Sequence, residues 1–160
     1  MTKSALRRVM PTNEKRTVYA PKRLANTEYR QREYLTPTEV ERLIKAASRN
    51  KHGHRDATMV VVCYRHGLRV SELVGLEWSQ VDFTAANLHV RRLKGSVDAV
   101  HPIRGDELRA LRRLQREQKP ESPFIFTSER GAPFSTASFL RMVRRAGEAT
   151  KLGFPVHRIC

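Results

Sequence analysis

One arginine near the middle of the chain lies where a folded protein could direct it at a phosphate. Arg69 lies two residues after Gly67, at the start of a short run of polar and apolar residues that ends at Leu73. A glycine that stops one helix, followed at once by the start of another, would hold the arginine between two packed elements. A guanidinium held in this way can bind a phosphate through two parallel hydrogen bonds. The alternative is an arginine that merely pairs with Glu72 at the surface.

Two helices are predicted before Arg69. Thr36-Pro37-Thr38-Glu39 combines a capping threonine, a proline at the first helical position and a capping-box glutamate, so a helix is predicted over residues 37–49. Residues 52–54 are predicted to form a loop. Residues 55–66 are apolar on nearly every face, which predicts a buried central helix that ends at Gly67. A short helix is predicted from Ser71 to Glu77.

A β-hairpin is predicted after these helices. Its two strands are marked by apolar residues, with Lys94-Gly95-Ser96 at the turn; the marking residues are Leu88, Val90 and Leu93, then Val97, Val100 and Ile103.

Two more helices and a short strand complete the predicted elements. A helix over residues 105–118 places leucines inward and Arg109, Arg112, Arg113 and Arg116 outward. Residues 124–126 predict a short strand. Ser135 predicts the start of a last helix in which Phe139, Val143 and Ala146 share a face. The predicted fold is therefore mixed α+β, mainly helical, with a small antiparallel sheet.

The charge balance favours a polyanionic partner. Lys and Arg number 31 against 16 Asp and Glu, a formal net charge of +15. A cationic surface gains free energy when it releases counterions from nucleic acid, although a basic soluble protein of another kind would show the same balance. Residues 1–33 are predicted to be a basic, flexible N-terminal arm, either a solvated tail or an arm that follows DNA. Residues 34–160 are predicted to form one domain.

Several classes of protein are disfavoured by the sequence. No apolar stretch approaches the ~18–20 residues of a membrane span, and the N-terminus lacks the apolar run of a secretory signal. We therefore expect a cytoplasmic protein that does not bind membranes. Cys63, Cys160 and the six histidines show no ligand spacing, so neither a metal site nor a disulfide framework is predicted.

The stretch Gly67–Leu73, followed by Leu76 and Trp78, resembles the first conserved box of the tyrosine recombinases, also called the phage integrase family. The resemblance continues in order over about residues 34–157: the opening at 35–39, the hairpin with Lys94-Gly95, and the segments 124–126 and 131–135. The small size resembles the short fimbrial-switch members of the family. The implied fold is that of a recombinase catalytic domain.

The resemblance implies site-specific DNA recombination or integration without cofactor or metal. In the family a tyrosine attacks the scissile phosphate, arginines and histidines stabilise the phosphoryl state, and a hairpin lysine protonates the leaving oxygen. By position Arg69 is similar to the first arginine, Lys94 to the lysine, and Glu72 to the acidic residue that supports the arginine. The implied partners are double-stranded DNA and an intact recombinase or a second copy. The arginines expected to contact DNA are Arg91, Arg92, Arg141, Arg144 and Arg145.

The sequence also departs from the family pattern. The second conserved box of the family contains His-x-x-Arg and, later in the chain, a tyrosine. If His157 were the histidine of this box, the arginine would fall at position 160, which is Cys160. His157 is therefore not assigned a role. All of the tyrosines precede Arg69; they are Tyr19, Tyr29, Tyr34 and Tyr64. We expect a truncated fragment that lacks the nucleophile and is inactive alone, which leaves open whether the chain is an enzyme. The alternatives are a non-catalytic DNA-binding module that competes or pairs with an intact recombinase, and an unrelated RNA-binding protein of ribosomal type, against which the order of the motifs argues.

Overall fold

The computed structural model describes residues 35–91, 97–118 and 122–152. Within these ranges the chain is mainly helical with a small antiparallel sheet, as the sequence predicts. The elements, in chain order, are α1 (Pro37–Ala47), α2 (Gly53–His66), α3 (Val70–Val74), a 3-10 turn (Trp78–Gln80), β1 (Val81–Asp82), β2 (Asn87–Val90), β3 (Ala99–Pro102), α4 (Gly105–Glu117) and α5 (Thr136–Ala149).

Helix α2 is the centre of the helical packing. Helices α1, α3 and α4 all pack against it, and α5 packs against α1 and α3. Its buried side chains include Met59, Val60, Val62 and Cys63, so apolar residues cover most of its circumference. The prediction of a buried central helix is confirmed.

Helix α1 begins as its capping signals predict. The Glu39 carboxylate accepts a 2.8 Å hydrogen bond from the Thr36 backbone N–H, and the Glu39 N–H donates to the Thr36 hydroxyl at 3.4 Å. The helix ends at Ala47, two residues before the predicted end. The start was predictable because both capping bonds join residues three positions apart.

Helix α2 begins earlier than predicted. Gly53 and His54 form its first turn, so the predicted loop over 52–54 is wrong for these two residues. A Cβ atom at position 53 would lie 1.9 Å from the Ser48 carbonyl oxygen. The glycine thus allows the end of α1 to approach the start of α2, and here it does not mark a loop. At the other end Gly67 adopts φ 58°, the predicted left-handed cap.

Among the described residues the sheet has three strands in the order β1-β2-β3, all antiparallel. The β2–β3 pairing predicted as a hairpin is present, with Leu88 opposite His101. Val97 and Ile103 lie outside β3, and strand β1 was not predicted. The turn residues 94–96, like Leu93, lie outside the described ranges.

Residues 124–126 do not form the predicted strand. The Ile125 N–H bonds the Leu76 carbonyl, whereas the Phe126 carbonyl accepts from the Phe134 N–H. Because this segment bonds two different neighbours, each through a single bridge, no continuous ladder forms. Ile125 and Phe126 are nevertheless buried in the core.

The remaining helices differ from prediction only in extent. Helix α3 covers Val70–Val74, shorter than the predicted Ser71–Glu77, and the 3-10 turn follows it. Helix α4 agrees with the prediction to one residue. The Ser135 hydroxyl caps α5 by accepting from the Ser138 N–H at 3.1 Å. The predicted inner face of α5, made of Phe139, Val143 and Ala146, is buried.

Candidate functional site

The backbone on both sides of Arg69 is fixed by packing. Gly67 reverses the chain at the end of α2, and the Leu68 N–H bonds the Cys63 carbonyl at 3.2 Å. The Leu68 side chain is fully buried. Arg69 itself is extended, with φ −68° and ψ 152°, and is the N-terminal cap of α3. The arginine therefore leaves the core from a defined point.

The Glu72 carboxylate holds Arg69 at two places. Its Oε2 accepts from the Arg69 backbone N–H at 2.9 Å, and its Oε1 accepts from Nη1 at 3.2 Å. The Glu72 side chain is 1% exposed, whereas the Arg69 side chain is 51% exposed. This is more than a solvated surface pair, because a buried carboxylate anchors a guanidinium that still reaches solvent. The arrangement can present a positive charge in a fixed direction.

The three arginines predicted on the last helix are exposed on α5. Arg141 donates to the Ser138 hydroxyl at 3.1 Å. Arg141 and Arg145 line a cleft of about 410 Å³ between α5, the start of α2 and residues 128–129, and Arg144 does not line it. Helix α3 packs against α5, so the helix that begins at Arg69 and the helix that carries these arginines are in contact.

The same cleft contains Arg55, which sequence reasoning did not single out. Its Nε and Nη2 donate to Asp56 at 3.0 and 2.8 Å, and its Nη1 donates to the Thr127 carbonyl at 3.0 Å. The guanidinium also lies 4.5 Å from the centre of the Phe134 ring. Since its donors are engaged by the protein, Arg55 joins α2 to the 127–134 segment and is not placed to bind a ligand.

The structure describes only part of the hairpin that is predicted to contact DNA. Arg91 is exposed immediately after β2. Arg92 and Lys94 lie outside the described residues, and so does the N-terminal arm. Their roles stay predictions.

A buried polar pair that was not predicted lies at the end of α2, three residues before Arg69 in the sequence. His66 Nε2 and Glu107 Oε1 are 2.8 Å apart, and the His101 ring packs edge-on against His66 at 5.3 Å. Beside it Arg65 donates to both Asp106 oxygens, at 2.9 and 2.6 Å. The hydrogen bond from Arg65 lowers the pKa of Asp106 to about 2. No local pattern predicts these pairs, because the partners are 41 residues apart in sequence.

Among the described residues no helix has the length and apolar character needed to cross a bilayer. No group of three or more histidine, cysteine or acidic side chains there is arranged to hold a metal ion.

Comparison with known proteins gives a family match over most of the chain. A profile of the phage integrase family matches residues 33–159. The type 1 fimbriae regulatory protein FimE of Escherichia coli (strain K12) is 36% identical over 121 residues, covering 72% of this chain and 61% of FimE. The chain thus spans less than two thirds of the length of this relative.

Solved structures share the fold. The crystal structure of XerA recombinase superposes with a TM-score of 0.65 at 31% identity, over 78% of this chain and 47% of that one. A lambda integrase dimer bound to a COC' core site gives a TM-score of 0.60 at 25% identity, over 78% and 48%. The mainly helical architecture with its small three-stranded sheet is that of these catalytic domains.

Proposed function

This chain belongs to the phage integrase family, the tyrosine recombinases, and on that premise we propose that it binds duplex DNA for site-specific recombination, with Arg69 contacting a backbone phosphate. The observation that carries the proposal is the geometry of Arg69. Its guanidinium is anchored by the buried Glu72 carboxylate, while half of the side chain stays exposed. The net charge of +15 supports a polyanionic partner.

The chemistry proposed for Arg69 is electrostatic. When an oxygen attacks a phosphodiester, negative charge develops on the phosphoryl oxygens. A guanidinium that is already oriented stabilises this charge without reorganising during the reaction. Glu72 would keep the Arg69 guanidinium in place. Lys94, by its position on the predicted hairpin, would protonate the leaving oxygen.

The covalent step needs a nucleophile as well. In residues 1–160 no tyrosine follows Arg69. Tyr64 lies beside Arg65, His66 and Glu107 in a cleft that Arg69 does not line. We therefore propose that residues 1–160 supply phosphate binding through Arg69, and that strand exchange also needs a tyrosine nucleophile at that phosphate.

The second candidate is a non-catalytic DNA-binding module that pairs with an intact recombinase or with itself. It is supported by the lambda integrase structure, which is a dimer bound to a COC' core site. It is also supported by two apolar side chains on the β3 side of the hairpin, Val97 and Val100, which are exposed. Analytical ultracentrifugation of the chain with and without duplex DNA would test self-association.

DNA binding by Arg69 can be tested by fluorescence anisotropy with a short duplex of mixed sequence. Arg69→Ala should weaken binding by about 1–3 kcal/mol, roughly 5- to 150-fold, if a charge-assisted contact is lost. Arg130→Ala removes an equally charged, exposed side chain from the turn at 128–131 and is the matched control. The proposal fails if the two variants bind equally well, or if wild-type binding is absent at low salt.

A further inference from the structure

The outer face of α4 carries a row of arginines that the proposed site does not use. Four arginines recur at i, i+3, i+4 and i+7, a spacing that places them on one side of a helix, and all four are exposed. The opposite side carries the buried residues Glu107, Leu111 and Leu114, which face the core. We call this row the arginine stripe; its members are Arg109, Arg112, Arg113 and Arg116.

The stripe is only weakly neutralised. Helix α4 contains three acidic residues, and two of them, Asp106 and Glu107, are engaged by Arg65 and His66 at its first turn. The third is Glu117, which accepts from Arg113 at 2.5 Å. Within the described part of the chain, Arg109 and Arg116 make no hydrogen bond or ion pair through their side chains. Like charges at this spacing repel by about 0.2–0.5 kcal/mol per pair, which an anionic partner would relieve.

One member of the stripe is already oriented. Arg112 donates to the Phe83 carbonyl at 3.1 Å, and its guanidinium lies 5.8 Å from the centre of the Phe83 ring. Phe83 in turn stacks on Trp78, with ring centres 6.3 Å apart. This support from the β1–β2 turn reduces the side-chain entropy that Arg112 would lose on binding a ligand.

The composition of this face favours nucleic acid over protein as the partner. A stable protein interface has an apolar centre inside a polar rim. Among the described residues the large exposed apolar side chains are Tyr64, Val97, Val100 and Leu140, and none of them is on α4. A face made of guanidinium groups without an apolar centre instead matches a row of phosphates, since each planar guanidinium can donate hydrogen bonds to two phosphate oxygens.

We propose that the arginine stripe is a docking surface for backbone phosphates of duplex DNA, separate from the phosphate contact of Arg69. Helix α4 packs on α2, and the stripe lies on the side of α4 opposite its core-facing residues. Arg69 instead caps α3, which packs on α2 and α5. The inference rests on the proposed function in that both need DNA as the partner. It adds a second contact surface, so that the chain holds phosphates beyond the one at Arg69.

The test compares the salt dependence of duplex binding in variants of the full chain. Arg109→Gln/Arg116→Gln removes two stripe charges whose side chains have no hydrogen-bond or ion-pair partner among the described residues. Lys45→Gln/Arg49→Gln removes two exposed charges at and just beyond the end of α1 and is the matched control. Each phosphate contact adds about 0.9 to the slope of log K against log salt, so the stripe variant should lose about 1.8 from the slope and the control should keep the wild-type slope. Circular dichroism melts would verify that both variants fold.

The outcomes separate this inference from the proposed function. Absence of duplex binding by the wild-type chain would overturn both. If Arg69→Ala weakens binding but the stripe variant keeps the wild-type slope, only the stripe proposal is overturned. An equal loss of slope in the stripe variant and the control would also overturn it, because net charge alone would then explain the effect. If the stripe variant no longer binds poly-glutamate but keeps the wild-type slope of log K against log salt for duplex DNA, the stripe would be assigned to an acidic protein instead.

Discussion

His66 and Glu107 form a hydrogen-bonded pair in the interior, with side chains only 4% and 1% exposed. The pair joins the last residue of α2 to the first turn of α4, and His66 immediately precedes Gly67, where the chain turns toward Arg69. A buried carboxylate that lacks donors is costly, so each partner makes burial of the other tolerable. The pair thus fixes the end of α2 from which Arg69 projects.

Loss of either member of this pair should destabilise the fold. We expect His66→Leu and Glu107→Leu each to lower the free energy of unfolding by about 2–3 kcal/mol, because each leaves a buried polar group with fewer partners. The double variant His66→Leu/Glu107→Leu should be less destabilised than the sum of the two single variants, because it leaves neither group behind. Urea unfolding of the four proteins measures the coupling, and strictly additive effects would contradict a direct interaction.

Glu72→Ala should affect both stability and DNA binding. Removal of the carboxylate takes away the cap on the Arg69 N–H and the anchor of its guanidinium, which should cost about 1–2 kcal/mol of stability. Since Glu72 is proposed to act on DNA through Arg69, its effect on duplex affinity should be small in an Arg69→Ala background. Glu41→Ala, an exposed glutamate on α1, is the control and should change neither quantity measurably. Full additivity with Arg69→Ala would show that Glu72 does not act by positioning the arginine.

The Asp106 carboxyl should titrate at unusually low pH. Its ordinary pKa of 3.8 is lowered to about 2, mainly by the hydrogen bond from Arg65. Because the folded-state pKa is the lower one, the stabilisation is complete above the ordinary pKa and is lost as the pH falls from about 4 toward 2. Carbon-detected NMR titration should show this midpoint, and Arg65→Gln should move it up toward 3.8. An unchanged midpoint in Arg65→Gln would rule out this ion pair as the cause.

The chain alone should form no covalent complex with DNA. No covalent intermediate can form without a nucleophile placed at the phosphate. Incubation with a nicked suicide substrate, followed by denaturing electrophoresis, should therefore show no retarded protein–DNA species. A phosphotyrosine adduct, mapped by mass spectrometry to Tyr19, Tyr29, Tyr34 or Tyr64, would overturn this expectation.

Structural features that depend on residues close in sequence were predicted correctly from the sequence. The Thr36–Glu39 capping box, the Gly67 cap and the inner face of α5 all depend on bonds or periodicity within a few positions. The position of Arg69 between a glycine stop and a helix start was readable for the same reason.

Other features were decided by tertiary packing. Gly53 belongs to α2, where its lack of a side chain lets the end of α1 approach, and residues 124–126 lack a ladder because their backbone bonds two different segments. The pairing of His66 with Glu107 depends on how α2 and α4 pack, across 41 residues of sequence. The sequence by itself determined the start of α1, the end of α2 and the start of α5, and which arginine leads into α3. Only the folded chain decided which buried polar side chains meet, because partners from distant parts of the chain are not related by any regular spacing in the sequence.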